Sequence, residues 1–160
     1  MRHRSFRRLA LVAAVACVGL LALAGVRLIS IFDASKSRAD ADDPVQIVRG
    51  QIVYNEYCAS CHGIKLEGQP DWRTRLANGR LPAPPHDESG HTWHHPDEHL
   101  FEVTKNGLKN IAPPDYQTDM PAYDGVLTDG QIWDVLAYIK STWPKDIRDR
   151  QEKLNRGANH

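Results

Sequence analysis

Apolar residues along the chain fall into stretches of different character. Leu9 to Val26 is an unbroken run of apolar and small residues, interrupted at Arg27 and extended by Leu28-Ile29-Ser30-Ile31-Phe32. After Pro44, which suits a first helical turn, Val45, Val48, Ile52 and Tyr57 recur at roughly helical spacing. Leu100, Phe101 and Val103 sit in a short stretch from Pro96 that Gly107 can close as a C-cap. Ile132, Val135, Leu136 and Ile139 make the stripe of a helix predicted from Asp129 to Ser141. Thr128 and Gln131 have the spacing of its capping box, Leu127 can staple its start, and Pro144 stops it. Gly50 costs the first helix about 1 kcal/mol relative to alanine, unless another helix backbone has to come close there; the helix from Asp129 is the expected neighbour. The segments Lys65 to Asp71, Leu81-Pro82-Ala83-Pro84-Pro85 and Asn110 to Asp119, with Pro113 and Pro114, read as loops. Arg148 to Arg156 is charged enough to predict a frayed, solvated tail helix. With no strand pattern and no internal repeat, the predicted fold class is all-α.

Charge then divides the chain. Arg2, Arg4, Arg7 and Arg8 precede the apolar run, and a basic head before an apolar core is an export signal whose arginines stay on the cytoplasmic side. Residues 1–32 are therefore either a signal peptide, cut near Ala24 in Ala22-Leu23-Ala24, or a transmembrane anchor. About 18 to 24 residues is long enough to span a bilayer, and Arg27 can snorkel to the interface. Residues 33–43, rich in Asp, Ser and Ala, read as a flexible linker, which serves an anchored protein better than a released one; the anchor is the expectation. Residues 44–145 then form one domain and residues 146–160 a charged tail. All 20 acidic residues lie after Phe32, against 15 of the 20 basic ones. Such an acidic domain speaks against nucleic-acid binding and suits a basic or mixed protein partner.

The chemistry concentrates in Cys58-Ala59-Ser60-Cys61-His62. Cys-x-x-Cys-His is the attachment pattern of c-type haem. Two thiols add across the vinyl groups, the adjacent histidine ligates the iron, and one helical turn presents all three to one porphyrin edge. A thioredoxin-like Cys-x-x-Cys pair expects a βαβ setting, which is missing. A zinc set needs further ligands, and the remaining cysteine, Cys17, lies in the apolar run as a small hydrophobe. One covalently attached haem c would also staple a core that is marginal at this size.

Val48 to Tyr54 leading into Tyr57-Cys58-Ala59-Ser60-Cys61-His62-Gly63, then Asp119-Met120-Pro121-Ala122-Tyr123, then Leu127 to Lys140, resembles the class I (monohaem) cytochrome c family of membrane-anchored or exported bacterial type. The resemblance covers roughly Asp43 to Trp143. It implies a cytochrome c-like helical domain built around the haem, with Gly50, Tyr54 and Tyr138 at the crossing of first and last helices. Haem attachment after export places the domain on the periplasmic side of the bacterial inner membrane, or free in the periplasm if the segment is cleaved. A thioether is a soft ligand suited to low-spin iron. With Met1 on the wrong side of the membrane, Met120 is the methionine that matches the family's second ligand in type and order. His86, His91, His94, His95 and His99 compete for that position. Gly90-His91-Thr92-Trp93-His94-His95-Pro96 reads as a polar loop, as a subsidiary copper or zinc site at His91, His94 and His95, or as the source of a sixth ligand. Trp93 is a candidate apolar wall or hydrogen-bond donor beside the haem. In the family a proline carbonyl accepts the ligand histidine's other N–H; Pro84 and Pro85 both qualify. Arg73, Arg75, Arg80 and Trp93 are candidates for the propionates.

The resulting expectation is one-electron transfer between redox partner proteins in a respiratory or periplasmic chain, with no substrate on the iron and no catalytic residue. Two alternatives stand beside it: the cytochrome subunit of a periplasmic oxidoreductase, and a haem sensor or copper-handling protein using the histidine-rich loop.

Overall fold

Asp43 starts the first helix by accepting hydrogen bonds from the backbone N–H groups of Val45 and Gln46 on one carboxylate oxygen, and Pro44 follows at the first helical position, where its missing N–H is no loss. This is α1 (Pro44–Tyr57) in a computed structural model that describes residues 38–109 and 111–158. Then come α2 (Ala59–His62), a 3₁₀ turn (Thr92–His94), α3 (Asp97–Asn106), α4 (Asp129–Ser141) and α5 (Lys145–Ala158). Among the described residues there is no strand, and no helix is long and apolar enough to cross a membrane. The apolar run, Cys17 and the first part of the linker lie outside the described residues.

The centre is the crossing of α1 and α4. A side chain on Gly50 would run into the Asp134 carbonyl and the Tyr138 Cβ, so glycine is what allows the two backbones to meet. Tyr54, fully buried, lies 5.4 Å from Tyr138 between ring centroids. Arg49 grips the buried Asp134 carboxylate with two hydrogen bonds of 2.7 and 2.9 Å, the fork geometry in which arginine is strongest. The Thr128–Gln131 capping box opens α4, and Leu127, 5% exposed, closes over its start. Helix α4 is buried on nearly every side from Ile132 to Lys140. Phe101 of α3 stacks on Trp133 at 4.4 Å, and Gly107, at φ 72°, ends α3.

Two sequence expectations are corrected, the linker and the tail, and the first helix turns a face inward that its apolar spacing does not mark. Val45, Val48 and Ile52 do not face the core; each is about 60% exposed. The buried positions of α1 are Gln46, Gly50, Val53 and Tyr54, because the close crossing at Gly50 chooses the face and hydrophobicity does not. The linker is not free to its end. Ala39 is buried, the Gln46 side chain bonds the Arg38 carbonyl and the Asp40 N–H, and the Lys140 ammonium donates to the Ala39 carbonyl. The tail is helical but docked, with Gln151 and Asn155 fully buried. Asn155 accepts the Asp97 N–H at the start of α3, and Gln151 donates to Asp97, whose carboxylate also pairs with Lys140. Polar side chains carry most of this docking, with Ile147 alone packed against the core from this helix, so no apolar stripe announces it.

Candidate haem site

Helix α1 runs almost directly into the attachment motif. The Cys58 N–H still bonds the Tyr54 carbonyl, and the Cys58 carbonyl accepts from Cys61 and His62. Cys58, Cys61 and His62 therefore share one helical turn, which Gly63 ends at φ 82°. A side chain at Gly63 would collide with the Glu67 carboxylate. Both cysteines are free thiols, Cys58 half-buried and Cys61 exposed. Burial, with Cys61 adding to it, pushes the Cys58 thiol up to about 12, so it is protonated at neutral pH.

His62 is 8% exposed, and its Nδ1 lies 2.8 Å from the Pro84 carbonyl. A carbonyl can only accept, so Nδ1 carries the proton and Nε2 the lone pair. Burial lowers the His62 pKa against the opposing pull of Pro84, which favours the neutral, ligating form. Pro84, not Pro85, is thus the acceptor. Pro85 instead packs beside Gly68 and Gly90, where a side chain would strike it. The segment is held by Leu66, whose carbonyl accepts the His86 N–H at 2.8 Å. Leu66 itself adopts φ 65°, a conformation L-residues enter at a cost of roughly 1–2 kcal/mol; its buried side chain, 4% exposed, holds it there.

Two tyrosine hydroxyls tie the backbone on either side of the motif. Tyr54 donates to the Gly63 carbonyl at 2.9 Å and Tyr123 to the Tyr57 carbonyl at 2.7 Å. Tyr123 is three residues beyond Met120, so this second bond anchors the methionine loop beside the first cysteine. Burial raises the Tyr123 hydroxyl to about 12, keeping it a donor. Met120 is half-buried, and its N–H bonds the Thr118 hydroxyl. Arg80 pairs with the adjacent Asp119, Arg75 with the Gly79 carbonyl, and Arg73 lies over Trp72.

The other histidines divide. His86 stacks on His62, centroids 4.0 Å apart and planes 27° from parallel. A ring beside the His62 imidazole lies on that ligand's side of the site and is not positioned to serve the opposite face. Burial and the neighbouring imidazoles of His62 and His91 hold its pKa well below the ordinary value. His91 stacks on Trp72, His94 on Trp93, and His95 on His99. Among the described residues no three His, Cys, Asp or Glu side chains group as metal ligands, so the alternative of a subsidiary metal site at His91, His94 and His95 gains no support from this arrangement. Trp93 donates to the Glu88 carbonyl. The stacking of His86 and the Tyr123–Tyr57 bond were beyond sequence reasoning, because both join positions remote in sequence.

The donor set fits a covalently held haem: two free thiols and a neutral imidazole on one turn, the imidazole's far nitrogen bare and its near one fixed. The chain matches no curated protein and no solved structure at a significant level. The family described as Cytochrome c matches residues 47–143, a span that includes the attachment turn, the methionine loop, α4 and α1 from Ile47 onward. The chain therefore belongs to the cytochrome c family, which implies a covalently bound c-type haem and the work of an electron carrier.

Proposed function

We propose that Cys58 and Cys61 hold one haem c through thioether bonds, that His62 and Met120 fill the two axial positions, and that the chain passes single electrons between protein partners. When bound, the haem supplies the Fe(III)/Fe(II) couple. The protein's residues do the rest. Pro84 fixes the His62 tautomer and its orientation, which also raises the ligand's basicity. Tyr123 ties the Met120 loop to the attachment turn through the Tyr57 carbonyl, and this bond is the observation that carries Met120 as the second ligand. A Met/His pair sets a higher potential than two histidines. With both faces filled, no substrate reaches the iron, and the chain acts as a carrier rather than an enzyme.

The basic head and apolar run support export and retention by an N-terminal anchor at the periplasmic face of a bacterial inner membrane, with release after cleavage near Ala24 as the rival. The acidic surplus beyond Phe32 supports docking to a basic partner, and exchange with such a partner should slow as salt screens the attraction.

Met120 is tested by replacement. Met120→Ala is expected to open the iron to carbon monoxide. Met120→His is expected to keep it closed but lower the midpoint potential by on the order of 0.1 V, within the range axial ligands control. A Met120→Ala protein that stays low-spin and indifferent to carbon monoxide would exclude Met120 as the ligand.

A further inference from the structure

The His62 imidazole has one fixed point and one soft motion. Its Nδ1–H reaches the Pro84 carbonyl at 2.8 Å, but hydrogen bonds to carbonyls accept a broad range of directions, and the histidine χ2 torsion is itself broad. One bond therefore leaves the ring free to swing about its long axis. The stacked ring of His86, at 4.0 Å and 27°, blocks that swing, since turning His62 drives its edge into the neighbouring face.

His86 cannot swing with it. Its Nδ1 lies 2.8 Å from the Thr92 hydroxyl, and Thr92 is 5% exposed in the 3₁₀ turn. Its backbone is clamped at both ends. The N–H bonds the Leu66 carbonyl at 2.8 Å, and its carbonyl accepts the indole N–H of Trp143, buried just beyond α4, at 2.7 Å. The edge of Tyr54 closes the remaining side, 6.3 Å away at 75°. A flat ring with a polar edge satisfies this place; an aliphatic side chain would neither present a parallel face nor answer Thr92.

We propose that His86 is a positioning residue for the axial imidazole, the stacked His62–His86 pair anchored by Thr92 and Trp143 setting the rotational angle of the His62 plane. The inference rests on His62 being the ligand. The plane of an axial imidazole, together with the orientation of the ligand opposite, determines how unpaired spin spreads over the porphyrin in the oxidised state, so a change in that plane is readable without any electron-transfer assay.

The test is the proton NMR spectrum of the full-length, haem-loaded, oxidised protein, with its midpoint potential. His86→Leu should alter the order and spread of the hyperfine-shifted haem methyl resonances and move the potential. His86→Phe, which keeps the ring but loses Thr92, should stay closer to the wild-type pattern. Thr92→Val should shift the methyls in the same sense as His86→Leu, and Thr92→Ser should restore them. If His86→Leu loads no haem, the Thr92→Val and Thr92→Ser pair decides alone. A wild-type methyl pattern and potential in Thr92→Val, and in His86→Leu where it loads, would overturn the positioning role while leaving His62 ligation intact. A wild-type protein lacking the shifted resonances of a bound imidazole would overturn the ligand assignment, and this inference with it.

Discussion

A methyl group at position 50 would meet the Asp134 carbonyl and the Tyr138 Cβ, and neither can retreat from a helix buried on nearly every side. Alanine would gain about 1 kcal/mol of helix propensity there, against roughly 1–3 kcal/mol for overpacking. Gly50→Ala is therefore expected to lower the denaturation midpoint with an unchanged slope, and a rise would show that the helices can part cheaply. Tyr123 acts nearer the chemistry. Tyr123→Phe removes the bond to the Tyr57 carbonyl, costing about 1 kcal/mol of stability, and frees the loop that carries Met120. Reduced Tyr123→Phe protein should bind carbon monoxide more readily than wild type; equal binding would mean that the tether does not hold the methionine. Both residues were visible in the sequence, but unequally. Gly50 was marked by a helix glycine that needed a reason. Tyr123 was visible only as part of the methionine motif, since its bond spans 66 positions.

Helix α5 shows what patterning misses at the scale of elements. Its docking rests largely on Gln151 and Asn155, beside Ile147 on the core, and beneath them Asp97 and Lys140, 1% and 5% exposed, pair at 2.6 Å. A hydropathy reading classes all four as surface. Removing one member of such a pair leaves a buried charge without its partner, so Lys140→Met should cost about 3–5 kcal/mol, and adding Asp97→Leu should recover much of it. Chemical denaturation of the two variants checks this, and a loss below about 1 kcal/mol for Lys140→Met would mean that Asp97 is adequately held by Gln151 alone. Helix α4, by contrast, was legible from end to end: capping box, stripe and limits all agreed. Helix α1 was legible in extent but not in facing, because its inward side is set by a glycine crossing and by Gln46, while Val45, Val48 and Ile52 point outward.

For the whole molecule, local chemistry was readable and long-range choice was not. The Cys58–His62 motif, its place at the end of a helix and the order of the later methionine loop all lie in short stretches of sequence. Which proline meets His62, and which histidine stands beside it, depend on how a loop some twenty residues away is folded back by Leu66 and Trp143. The proposed electron carrier requires both faces of a covalently held iron to be filled, by His62 and Met120. The most direct measurement is the visible spectrum of the full-length protein made with a haem-attachment system, recorded oxidised, reduced, and reduced under carbon monoxide. The prediction is a low-spin spectrum with the sulfur-to-iron charge-transfer band when oxidised, and no change under carbon monoxide. A high-spin spectrum, or one that carbon monoxide shifts, would contradict it.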